Sequence, residues 1–261
     1  MTRRDFITLL GGAAAAWPLA ARAQQAAMPV VAFVTPSERD SFPPRYVAAF
    51  RKGLSDTGYI EGQNVSVEYH WLEGRYDRLP ALMADLVRRQ VAVIATPGGS
   101  FTALAAKAAT ATIPIVFGVA ENPVSTGLVA NLARPGSNAT GINFFLGEVV
   151  AKRLGLLHEL VPKAVRLGVL VNPANGLTAE AALRDIPEAA RTLGLQVQVL
   201  KASTGPEIDA GFSAMVRDRA DALFIAPDAF FVSRRVQFAT LAARDRYLRV
   251  APTVRWSKPA C

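Results

Sequence analysis

The residues of this 261-residue sequence that could do chemistry are polar side chains and glycines gathered where apolar runs stop at proline. Thr96, Gly98, Gly99 and Ser100 surround Pro97, and Glu121 and Asn122 precede Pro123. Asn143 closes "ATGIN", Asn172 and Asn175 flank Pro173, and Asp228 follows Pro227. Thr35 and Ser37, beside Pro36, are secondary candidates. The chemistry such groups offer is recognition rather than bond making. Gly98-Gly99-Ser100 is placed to open a helix, whose first backbone N–H groups can receive a carboxylate. Glu121 or Asp228 can pair with an ammonium group, and Asn122 can both donate and accept. A zwitterionic amino acid would suit that combination. Each position also reads as a plain capped turn, with the prolines purely structural. Phe144, Phe145, Phe230 and Phe231 lie near the same turns and could flank an aromatic ligand, or simply pack in the core.

Catalytic and metal chemistry finds no anchor. The two histidines, His70 and His158, have no spaced carboxylate or cysteine partners of the kind a metal needs. No GxSxG elbow, GxGxxG turn or GxxxxGK[ST] loop occurs, so no nucleophile, dinucleotide or P-loop site is expected, and no cofactor.

The elements that must carry these turns follow a repeated rule. "VVAFVTP", "VAVIATP", "IPIVFGVAENP", "LGVLVNP" and "ALFIAP" are apolar runs that stop at proline. Continuous Val/Ile/Leu runs mark strands buried on both faces, as in parallel sheets. Proline then ends the ladder. Helical patterns follow: "RYVAAFRKGLSDTG" sets Tyr46, Val47, Phe50 and Leu54 on one face, and "GSFTALAAKAATA" has Ser100 as its candidate N-cap. "RLPALMADLVRRQ", "VVAKRLGLLHELV", "AEAALRDIPEAARTLG" and "SRRVQFATLAARD" read alike, with Pro187 expected to kink or interrupt the third. The class is therefore α/β with doubly wound parallel sheets. The order strand, proline, polar turn and Leu-Ala-Ala helix occurs around both Pro97 and Pro227, which suggests two similar Rossmann-like lobes with a cleft between them. In such sheets ligands bind beyond the carboxyl ends of the strands. The stretch "RPGSNATGINFF" then holds the last strand of the first lobe, and "FFLGE" carries the chain across. This gives lobe 1 as residues 28–143 and lobe 2 as 144–245; the alternative is a loop inside one sheet.

Composition sets the remaining bounds. The chain is 51% hydrophobic and 19% charged, which fits a folded globular protein. Its net charge of +8 is interspersed, with no basic run, which argues against nucleic-acid binding. "TRRDFITLLGGAAAAWPLAARA" begins with a twin arginine, continues with an apolar run too short to span a bilayer, and ends in Ala21-Arg22-Ala23. Residues 1–23 thus read as a twin-arginine-type export signal, which places the protein in the periplasm. Cys261 is the single cysteine, so no internal disulfide can support the fold there.

At three stretches the chain resembles the solute-binding components of bacterial ABC importers, in the tryptophan/phenylalanine-type branch. They are "ATIPIVFGVAENPVSTGLVANLARPGSNATGIN" (111–143), "KRLGLLHELVPKAVRLGVLVNPAN" (152–175) and "DALFIAPDAFFVSRRVQFATLAAR" (221–244). The resemblance implies the type I periplasmic-binding-protein fold and a small solute trapped between two lobes. It also implies delivery to a membrane permease and its ATPase, by a monomer that is not an enzyme. Two departures stand out. Asn122-Pro123-Val124 replaces the family's Asp-Pro-Val, and residues 246–261 differ from the family's further elements, which suggests a shortened end. A sensory module would use the same cleft. The residues also leave room for a periplasmic enzyme or a nonfunctional remnant.

Overall fold

The computed structural model describes residues 28–40, 42–146 and 149–245, and the backbone of 250–251. The expected export signal, and all of the tail 246–261 except that short backbone stretch, lie outside the described residues.

Two parallel sheets organise the chain. The first contains β1 (Val30–Thr35), β2 (Ser66–Trp71), β3 (Val93–Pro97), β4 (Ile115–Val119) and β5 (Ala139–Asn143) in the order β2-β1-β3-β4-β5. The second contains β6 (Arg166–Val171), β7 (Gln196–Lys201), β8 (Ala222–Ile225) and β9 (Val250–Ala251) in the order β7-β6-β8-β9. Every described pairing is parallel. Both sheets step outward from their first strand, reverse, and step outward again. This doubly wound pattern leaves a topological switch point at β1/β3 and another at β6/β8.

The helices are α1 (Pro44–Asp56), α2 (Leu79–Arg88), α3 (Ser100–Ala109), α4 (Val150–Leu160), α5 (Gly176–Thr192), α6 (Gly205–Arg217), α7 (Ala229–Ser233) and α8 (Arg235–Arg244). The second sheet is covered on both faces. Val169, Val171 and Phe224 meet Leu154 and Leu157 of α4 and Ile186 of α5. Leu170, Leu223 and Ile225 meet Phe212 of α6, Phe230 and Phe231 of α7 and Phe238 of α8. The first sheet is covered unevenly. Ala32, Val34, Ile94, Ile115 and Phe117 pack on α2 and α3. On the opposite face Phe50 of α1 packs with Val31 and Ala95. Beyond α1 on that face, Val116 of β4 is 45% exposed and Ile142 of β5 64%.

Several local features differ from the expectations. In α1, Val47, Phe50 and Leu54 are half-buried, but Tyr46 is exposed and packs edge-on against Phe42. Helix α5 runs through Pro187 without interruption, because Pro187 forfeits one N–H while Ile186 and Ala190 anchor the turn on the core. Ser100 is the first residue of α3 rather than its cap; Gly99 holds the cap position without a side chain. Strands β2 and β7, at the sheet edges, were not among the apolar runs. The stretch "RPGSNATGINFF" leaves the first sheet at Asn143, and Val150 already packs in the second core. A turn makes this exit: the Asn143 Oδ1 accepts the Phe145 amide at 2.8 Å, with Phe145 in the left-handed region (φ 54).

Candidate functional site

Asp228 is the hub of the polar groups at the second sheet's carboxyl end. Pro227 prevents β8 from continuing, and Asp228 becomes the N-cap of α7, its Oδ1 accepting the Phe231 amide at 3.2 Å. Asn172, at the tip of β6, donates to the same oxygen at 3.1 Å. Asn175, at the cap of α5, donates to Oδ2 at 2.8 Å. The Asn172 carbonyl is fixed in turn by the Ser203 hydroxyl at 2.8 Å and the Ala174 amide at 3.1 Å. Asp228 therefore sits across the β6/β8 switch point.

The other lobe completes this group. The Tyr76 hydroxyl, from the short 3-10 turn Tyr76–Arg78, donates to Asp228 Oδ2 at 3.4 Å. Burial pushes the Asp228 carboxyl above the usual carboxylate range, although the Asn175 and Asn172 amides and the α7 backbone pull it back. Burial likewise pushes the Tyr76 phenol well up, and the charges of Asp228 and Glu121 push it further.

Glu121 is a second meeting point. It follows β4 of the first sheet and accepts from Ser100 of α3 in its own lobe. It also accepts from Thr178 of α5, in the other lobe, at 2.5 Å. Nearby, Glu38 pairs with Arg234, and the Ser37 hydroxyl reaches the Ala229 carbonyl at 3.4 Å, again across the two lobes. Gly98 (φ 107) faces the start of α7 so closely that an added Cβ would lie 3.7 Å from the Ala229 methyl.

Of the ten candidates, five enter this bonded group: Ser100, Glu121, Asn172, Asn175 and Asp228. The amides of Gly98 and Gly99 are directed elsewhere. Both donate to the Gly118 carbonyl, at 2.9 and 3.2 Å, so they are not free to receive a carboxylate. Thr96 is buried with its hydroxyl unpartnered among the described residues. Asn122 turns inward on its own loop, its Oδ1 accepting the Val124 amide at 2.9 Å, and Asn143 does the same at Phe145. Phe230 and Phe231 are core residues, whereas Phe144 and Phe145 are exposed. Sequence reasoning missed Tyr76, Thr178 and Ser203. Thr178 had a usable signal, lying three residues beyond Asn175 on one helical face. Among the described residues no group of three or more His, Cys, Asp or Glu is arranged to hold a metal, and no helix is long and apolar enough to cross a membrane.

Comparison with known proteins agrees with this architecture. A family model described as ABC transporter substrate binding protein matches residues 30–247. The chain is similar to a protein of Clostridioides difficile (strain R20291) named tyrosine-binding protein, 28% identical over 187 residues, covering 70% of this chain and 52% of the relative. The chain thus spans about half the length of that curated relative. Among solved structures, a conserved domain protein from Vibrio cholerae O1 biovar El Tor matches with a TM-score of 0.71 and 25% identity, over 84% of this chain and 72% of that one. The ABC domain from Streptococcus pneumonia in complex with L-Trp matches with a TM-score of 0.67 and 18% identity, over the same shares of 84% and 72%. The fold is that of type I periplasmic binding proteins, with two doubly wound lobes.

Proposed function

This chain belongs to the ABC transporter substrate binding protein family, whose members bind solutes and are not enzymes, and we propose that it captures a small amino acid or related polar nutrient between its two lobes. The observation that carries this reading is the bonded group joining the carboxyl ends of both sheets, through Tyr76 to Asp228 and through Thr178 to Glu121. The names of the relatives, which refer to tyrosine and to L-Trp, favour an amino acid.

In this reading residues 28–143 and 144–245 are the two lobes, and they part and close around the solute. Ligand contacts from both sides stabilise the closed arrangement over the open one, and no covalent step is involved. Ser100, Glu121, Asn172, Asn175 and Asp228 contribute the polar contacts, with Tyr76 and Thr178 added to them. Thr96, Gly98 and Gly99 line the same tips, and Asn122 and Asn143 shape the loops beside them. The closed form is what a membrane permease with its ATPase would read, outside the inner membrane after export of a monomer.

A thermal-shift screen of the full chain against the amino acids, beginning with tyrosine and tryptophan, tests this. A ligand at a hundredfold excess over its Kd adds about 2.7 kcal/mol to the stability. Asp228→Ala should weaken that ligand about a hundredfold in calorimetry, by loss of a charge-assisted contact and of its supporting network. An unchanged Kd would remove Asp228 from the site.

A further inference from the structure

The chain leaves the first sheet for the second after β5, which forms one edge of the first sheet. At the other end of that sheet, residues 36–38 after β1 and 72–75 after β2 meet the second lobe again. These two loops are first tied to each other. The Leu72 amide donates to the Thr35 carbonyl at 2.9 Å, and the Gly74 amide to the Pro36 carbonyl at 2.8 Å. Glu73 and Gly74 both take left-handed angles (φ 54 and 77) to make that turn. On the other side of the loop the Phe42 amide donates to the Glu38 carbonyl at 3.0 Å. The backbone that carries Glu38 is therefore set by its own lobe.

Arg234 is set by the other lobe. It stands between α7 and α8 with its guanidinium 5.2 Å from the centre of the Phe230 ring. It also lies against Gly205, where an added Cβ would be 3.5 Å from Nη1. Glu38 and Arg234 pair across the gap, their side chains 23% and 29% exposed. Beside them Gly74 faces lobe 2 so closely that an added Cβ would lie 3.3 Å from the Phe230 ring. The other ion pairs among the described residues each lie within one lobe. The charges that join the lobes thus sit across the first sheet from the crossover, where a weak attraction has a long lever arm. Neither Glu38 nor Arg234 belongs to the bonded group around Asp228 and Glu121, so the pair can act on closing without touching a solute.

We propose that Glu38 and Arg234 are positioning residues that latch the two lobes at their mouth, which makes closing respond to ionic strength. The proposal rests on the parting and closing of the lobes and not on the identity of any solute. A partly exposed pair of this kind is worth up to about fivefold in the ratio of closed to open chains. Screening removes most of that, since the Debye length falls from about 30 Å at 0.01 M salt to about 3 Å at 1 M.

Spin labels on Ala48→Cys of α1 and Ser213→Cys of α6, both exposed positions, report the separation of the lobes by electron–electron dipolar spectroscopy. The full chain also carries Cys261→Ser, so that only these two sites are labelled, and no solute is added. Between about 0.01 and 1 M NaCl the ratio of short to long distances should fall by up to about fivefold. Glu38→Gln should show the lowered ratio already at low salt and respond little to more salt. Arg234→Gln, which breaks the pair from the other side, should behave alike. Glu38→Arg sets like charges together and should lower the ratio further. Adding Arg234→Glu to Glu38→Arg should bring back both the ratio and its dependence on salt, which a merely structural role for either side chain would not do. Equal salt responses in the parent and in both glutamine variants overturn the latch. So does a parent distribution that salt leaves unchanged, or a swapped pair no more closed than Glu38→Arg alone. Solute binding, read separately by the thermal-shift screen, stands in each of those cases.

Discussion

An aspartate lies beyond each end of β8, and the two are held in opposite ways. Asp221, at the amino end, is exposed and accepts the Val165 and Arg166 amides at 2.9 and 2.8 Å. The Arg166 amide first of all, helped by the Val165 amide and opposed by partial burial, holds its carboxyl below the usual carboxylate range. Asp228, at the carboxyl end, accepts more hydrogen bonds, yet burial pushes it up. At opposite ends of one strand, one carboxylate ties loops together near solvent, while the other is buried and, among the described residues, takes part in no ion pair. Ordinary stabilisation explains the first. The second carries a desolvation cost, offset in part by the hydrogen bonds it accepts, at the place where the other lobe approaches.

Substitutions at the two positions test this contrast. The largest expected effect belongs to Asp228→Ala, which strands the amides of Asn172, Asn175 and Phe231. A loss of about 3 kcal/mol in unfolding free energy by urea titration is expected, since buried unsatisfied donors cost about 1–3 kcal/mol each and water will rescue some of them. A loss below about 0.5 kcal/mol would mean that the network is not formed in solution. Asp221→Ala frees two backbone amides near solvent, and should cost about 1 kcal/mol with ligand affinity unchanged.

The dependence on pH should divide the two positions by sign. The Asp228 carboxyl is raised in the fold, so its contribution to stability is full below the ordinary carboxylate value of 3.8 and is lost as pH climbs through the raised value. The Asp221 carboxyl is lowered, so its contribution is present above 3.8 and is lost as pH falls. Urea titrations of the parent chain and both alanine variants between about pH 3 and 7 should show the Asp228 difference shrinking with pH while the Asp221 difference grows. Two differences moving in the same direction would end the comparison. The smallest effect is at the rim. Glu38→Gln removes a partly exposed ion pair between the lobes, and should change stability by less than about 1 kcal/mol, with most of that change absent in high salt.

The same contrast explains what the sequence made legible. Strands β1, β3, β4, β6 and β8 lie inside their sheets, and their unbroken apolar runs declare it. Strand β2, "SVEYHW", is half-buried along its whole length with Glu68 and His70 in it, and β7, "QVQVLK", alternates. Edge strands need not be apolar on both faces, so a rule based on continuous runs passes over them. At the strand tips, proline marked where Glu121, Asn172, Asn175 and Asp228 would stand. It gave no sign of which side chains would be used locally. Asn122 precedes a proline and folds onto its own turn, a habit of asparagine in such places. Tyr76 was invisible for a different reason. It arrives from a single 3-10 turn in the other lobe, 152 residues from Asp228, and no periodicity spans that distance.

The meeting of Gly98 with Ala229 has a practical consequence. A methyl built on Gly98 would rest in van der Waals contact with the Ala229 methyl, so the two halves lie within one side chain's reach of each other there. Ala229→Trp would act as a doorstop without asking any residue to adopt a forbidden backbone angle. On the proposed closing of the lobes, such a chain would be held ajar, and its small-angle scattering would give a fixed reference for the open shape.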